Sequence, residues 1–89
     1  MKKDKLVQDL AERLSIPEQA LGESMVTVTA GRRLLVENHR GILEYGTELI
    51  AVALGRGRLL VFGSELCLEA MNQRELLLGG SIRRVEWED

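Results

Sequence analysis

Little in this chain is equipped for chemistry. Among 89 residues there is one histidine, one cysteine, one proline, and one each of tryptophan, tyrosine and phenylalanine. A single cysteine, Cys67, can neither close an intramolecular disulfide nor build a cysteine-rich zinc site, and it fits a reducing compartment. With only Tyr45, Phe62 and Trp87 as aromatics, leucine, valine and isoleucine must pack the core. There is no basic surplus either. Twelve Lys and Arg against 14 Asp and Glu leave a net charge of −2, which argues against a nucleic-acid partner. No apolar stretch approaches the ~20 residues of a membrane span. The N-terminus starts basic at Lys2, Lys3 and Lys5, but Asp9, Glu12 and Arg13 interrupt the apolar region a signal peptide requires. A cytoplasmic protein is expected, one domain over residues 1–89.

What is present is an apolar share of 45%, dealt out in short runs. The first segment stands apart. Leu6, Val7, Leu10 and Leu14 recur at helical spacing among charged residues, which predicts an amphipathic helix of about three turns. Ser15 and Glu18 then form a capping-box pattern, and a short helical turn would end at Gly22. The second helix is too short for a helix-turn-helix, and no basic recognition face follows it. The leucine stripe could lie on a membrane, but Asp4, Asp9 and Glu12 oppose anionic lipid, so packing on the sheet or on a partner is favoured.

From residue 25 to 88 the pattern is β. Val26 and Val28 alternate with Thr27 and Thr29, and Leu34/Val36, Ile50/Val52/Leu54, Leu59/Val61, Leu66/Leu68 and Leu76/Leu78 share single faces in turn, followed by a last strand with Ile82, Val85 and Trp87. Gly31-Arg32, Gly46-Thr47, Gly55-Arg56-Gly57, Gly63-Ser64, Asn72-Gln73 and Gly79-Gly80 punctuate them as turns. The expected fold is therefore mainly β. An N-terminal helical segment over residues 1–22 precedes about eight short, mostly antiparallel strands over 25–88, arranged as a sandwich or barrel or as a small stacked β-roll. Two strands break the alternation: Leu59-Leu60-Val61-Phe62 and Leu76-Leu77-Leu78 are apolar on both faces. Either something covers the second face, or the sheets stack. Leu60, Phe62 and Leu77 are thus candidate interface residues, for self-association or for a partner. The closing Glu86-Trp87-Glu88-Asp89 reads as an edge strand whose charges guard it against unwanted pairing.

Candidate chemistry is sparse. Glu37, Asn38, His39, Arg40 and Gly41 resemble a catalytic kit, but neighbours on a strand alternate faces, and a general base needs an oriented partner in a pocket. A turn at Asn38, a packing or capping His39 and a positive φ at Gly41 account for the same residues. Gly55-Arg56-Gly57-Arg58 lacks the helix that a phosphate loop places behind its glycines. Cys67 has no evident base or helix terminus to activate it. No cofactor is implied.

The stretch Val36-Glu37-Asn38-His39-Arg40-Gly41-Ile42-Leu43-Glu44-Tyr45 resembles the hallmark of the YabP/YqfC family of sporulation proteins. Ile50, Val52, the Gly57–Gly63 strand, Leu66, Leu68, Leu78, Gly80, Ile82 and Val85 fall in the same register, and Leu14, Ile16 and Pro17 are similar to the YqfC-like branch. The resemblance implies a non-enzymatic assembly or scaffold protein of endospore formation, at the cortex and coat stage. It would sit in the mother-cell cytoplasm, reaching the forespore membrane through a membrane-bound partner of the YqfD type. It supplies no catalytic residues and marks Asn38–Gly41 as a signature. The alternative from the residues is a small ligand-binding or catalytic β domain centred on the Glu37–Gly41 loop.

Overall fold

The computed structural model describes residues 23–89. Six strands follow one another: β1 (Met25–Thr29), β2 (Arg33–Glu37), β3 (Ile42–Tyr45), β4 (Leu49–Ala53), β5 (Arg58–Met71) and β6 (Glu75–Glu88). They form one sheet in the order β1-β2-β6-β5-β4-β3, and every pairing is antiparallel. This corrects the expected fold class. The described residues are all β, with six strands where about eight short ones were expected, and no parallel stacking of the kind a stacked roll requires. The expected helix and capped turn lie in residues 1–22, outside the described ones.

The strand count differs because two of the expected turns are bends inside long strands. Gly63-Ser64 lies within β5 and Gly79-Gly80 within β6, each strand running for 14 residues. The ladder between them shifts register at Phe62/Gly63, between Ser64 and Cys67, and again at Leu68/Ala70. Glu65 takes a positive φ of 54° at the middle shift, the signature of a bulge that bends its strand. The glycines are needed for closeness. A Cβ on Gly63 would collide with the Ser81 carbonyl oxygen, and one on Gly80 would lie 2.5 Å from the Glu65 carbonyl oxygen. In a sequence, a glycine that permits two backbones to touch looks the same as one that reverses the chain.

Bending divides the sheet into two layers. The second half of β5 and the first half of β6 pair with each other, and β2 and β1 extend that layer. The first half of β5 pairs with the last residues of β6, and β4 and β3 extend the other. The inward residues of both meet in one core. Leu34, Val36, Leu76 and Leu78 come from one layer, Ile50, Val52, Leu59 and Val61 from the other, with Leu54 and Leu66 completing it. Their period-two placement is what the alternation required.

The true turns are short. Ala30 and Gly31 both take positive φ, and Arg32 N–H closes onto the Thr29 carbonyl at 2.9 Å. This is a type I′ geometry one residue earlier than the expected Gly31-Arg32. Leu54 N–H bonds the Gly57 carbonyl at 3.0 Å. Asn72 N–H bonds the Glu75 carbonyl at 2.8 Å, and the Asn72 side chain accepts from Arg74 and Glu75 N–H at 2.8 and 2.7 Å. That side-chain closure is why asparagine suits the position.

Gly63→Ala is expected to destabilise the domain by about 3 kcal/mol or more, because the new methyl must displace backbone. Urea unfolding followed by circular dichroism measures it. Gly46→Ala, whose Cβ would meet ordinary space 3.4 Å from the Leu49 carbonyl oxygen, serves as the comparison and should cost far less.

Candidate functional site

The polar segment between β2 and β3 gathers three parts of the chain. Asn38 adopts φ 62°, a left-handed conformation that asparagine tolerates better than most residues. The reversal aims its N–H at the Arg74 carbonyl, 2.6 Å away, and His39 N–H reaches the same oxygen at 3.2 Å. Arg40 N–H then bonds the Ala53 carbonyl at 2.7 Å, and Ala53 N–H returns to the Gly41 carbonyl at 2.8 Å. Ser24 Oγ donates to the Asn38 carbonyl at 2.8 Å, and Asn38 Nδ2 donates to the Glu23 carbonyl at 3.0 Å. The loop thus ties the start of β1, the end of β4 and the β5–β6 turn together.

His39 is the centre of this clasp and is only 6% exposed. Gly41 N–H can only donate, so His39 Nδ1, 2.9 Å away, accepts. Nε2 lies 2.9 Å from the Asn72 carbonyl oxygen, which can only accept, so Nε2 carries the hydrogen. Both ring nitrogens are committed to backbone groups. A general base must offer a lone pair to substrate, and this imidazole offers none. Gly41 sits at φ 114°, the positive φ expected from its place in the turn.

Glu37 is also buried, at 6% exposure, on β2 opposite Met25 and Glu75. Arg40 is exposed. The five signature residues are therefore not a convergent catalytic group. Asn38, His39 and Arg40 do border a cavity of about 680 Å³, whose wall includes Ser24, Leu54, Arg56, Arg74 and Trp87. Glu37 does not line it. Three arginines, Arg40, Arg56 and Arg74, face two carboxylate side chains, Glu23 and Asp89, around this space. The sequence points to Arg40, but Arg56 and Arg74 join it only because the 54–57 and 72–75 turns come to the same end of the domain.

The candidate interface residues are distributed differently. Leu60 is 8% exposed, opposite Ala51 and Glu86 in the ladder. Phe62 is half-buried, with the Arg84 guanidinium 4.1 Å above its ring. Leu77 is half-buried between Leu35 and Ala70. The large apolar side chains that do face solvent are Leu43, Tyr45, Val28, Met71 and Trp87. Leu43 is 58% exposed because it is the extra residue at the register shift between Ile42 and Glu44. Tyr45 is 56% exposed, with its hydroxyl accepting Leu68 N–H at 2.9 Å. Cys67 is exposed, on the opposite face from its leucine neighbours. No helix among the described residues is long and apolar enough to cross a membrane.

A family model described as the YabP family matches residues 20–89. The chain is also similar to a Bacillus subtilis (strain 168) protein named "Uncharacterized protein YqfC". Identity is 25% over 87 residues, covering 97% of this chain and 94% of the relative. No solved structure matches.

Replacing His39 by alanine leaves two backbone groups of the clasp without their partner and should cost about 2–4 kcal/mol. Arg40→Ala, at an exposed position, should stay within about 0.5 kcal/mol. Paired thermal and urea melts of the two variants measure the contrast. Equal losses would remove the clasp role from His39.

Proposed function

The chain belongs to the YabP family, a sporulation-associated family, and from that premise we propose that it is a non-enzymatic assembly protein of endospore formation, working at the cortex and coat stage. The observation that carries the non-enzymatic half is the double commitment of His39. The only histidine in the chain is held by Gly41 N–H and by the Asn72 carbonyl, and its acidic neighbour Glu37 is buried at the end of β2. The assembly half rests on family membership and on the exposed apolar side chains of β3.

In this reading the protein acts in the mother-cell cytoplasm and reaches the forespore membrane through a membrane-bound partner of the YqfD type. The contact centres on Leu43 and Tyr45, with Phe62 and Leu77 contributing what area they leave uncovered. Affinity purification from solubilised membranes of sporulating cells, with the full chain as bait, tests it. Wild type should retain a membrane protein that Leu43→Asp loses, and Phe62→Asp should weaken the same capture. Identical captures by all three baits would overturn the assignment of this surface. Circular dichroism of each bait establishes that it is folded.

One observation favours a second reading, a small ligand-binding domain centred on the Glu37–Gly41 loop. That observation is the cavity beside the loop with three arginines in its wall. Such a site would take an anion. Titration with inorganic phosphate, followed by the fluorescence of Trp87 and by the melting temperature, decides it. A saturable change that Arg74→Ala abolishes supports the site, and a flat titration removes it.

A further inference from the structure

The outer edge of β6 changes character along its length. Residues 75–79 are paired on that side by β2, and Ile82 N–H is still held by the Gly31 carbonyl at 2.9 Å. From Arg83 to Glu88 no strand lies beside it among the described residues. An open edge of this kind pairs with other strands unless its side chains prevent it. Its side chains run Arg83, Arg84, Val85, Glu86, Trp87, Glu88, two positive charges followed by two negative ones about a central valine.

We propose that this edge is a homodimer contact, in which β6 of one protomer pairs antiparallel with β6 of a second copy about a two-fold axis at Val85. The register follows from the faces and the charges. Arg84 and Glu86 share the outer face, since they form an ion pair at 2.9 Å and Arg84 lies over Phe62. Val85 points the other way, against the core. A two-fold axis normal to the sheet keeps each face on its own side, so outer residues must oppose outer residues. An axis at Arg84 would set that arginine against its own copy, and one at Glu86 would do the same with two carboxylates. Only the axis at Val85 opposes Arg84 and Glu86 as unlike charges. Arg84 meets Glu86 of the partner subunit, and Glu86 meets Arg84 of the partner subunit.

The existing Arg84–Glu86 pair then becomes one side of a square of alternating charges. The charges that discourage a foreign strand are thus the ones that select a second copy. Unlike charges directly opposite stabilise an antiparallel pair, and like charges oppose it.

Sedimentation equilibrium of the full chain, over a concentration series reaching the millimolar range, should show wild type associating to twice the protomer mass. Arg84→Glu makes both of the mutually opposed positions, 84 and 86, acidic, and Glu86→Arg makes both basic, so each alone should stay monomeric. Mixed one to one, the two should form a heterodimer, because every opposed pair is then unlike. An ion pair serving only the protomer's own fold could not give that rescue. A wild type that stays monomeric throughout, single variants that associate as well as wild type, or a mixture that stays monomeric would each overturn the proposal. Should a single variant fail to fold, Arg84→Glu/Glu86→Arg in one chain supplies the check. It should associate with itself and refuse wild type, and free mixing of the two would count against the contact.

Discussion

Every other feature of this domain depends on how closely β5 and β6 approach at their midpoints. Where the two strands bend together, Gly63 runs against the Ser81 carbonyl and Gly80 against that of Glu65. No side chain fits there. The bend lets one hairpin serve two layers, its tip half carrying β2 and β1 and its open half carrying β4 and β3. A flat six-stranded sheet made of these strands would leave Leu34, Val36, Ile50 and Val52 facing water on one side. Folded at the bulges, it buries all four completely. A chain of this length has little surface-to-volume advantage, and using one sheet for both walls of the core is an economical answer.

The second junction lies at the far end of the domain, in the clasp around His39. Here the layers are joined by hydrogen bonds rather than by a shared strand. Asn38, His39, Arg40 and Gly41 each hold backbone belonging to another element. The most chemically suggestive segment of the chain is thus a structural fastening, and its residue types are accounted for by geometry. The space beside it exists because three turns converge there.

Much of the β core was legible from period-two alternation alone. Leu34 and Val36, Ile50 and Val52, Leu59 and Val61, and Leu76 and Leu78 all face inward as that pattern requires. The strand count was not legible. Gly63 and Gly80 break the sequence pattern as a turn would, and only the position of Ser81 and Glu65 across the ladder reveals that they permit contact. The fate of the second apolar face was also hidden. Leu60 is nearly covered while Leu43, on a strand the alternation did not single out, stands out because a register shift pushes it outward. Likewise His39 could be recognised as a packing or capping residue, but its partner Asn72 is remote in sequence and nothing local announces it.

The strand order has a consequence for how the chain comes into being. β6 is the last of the six described strands to be synthesised, yet it lies inside the sheet, between β2 and β5. Before it emerges from the ribosome, β1 and β2 can form only an isolated hairpin, and β3, β4 and the first part of β5 only a three-stranded piece. Neither has the opposing layer that would dry its apolar face. Small β elements without such a layer are marginal in water, and exposed strand edges invite the wrong neighbours. Folding of this domain therefore waits on residues 75–88 rather than growing steadily from β1.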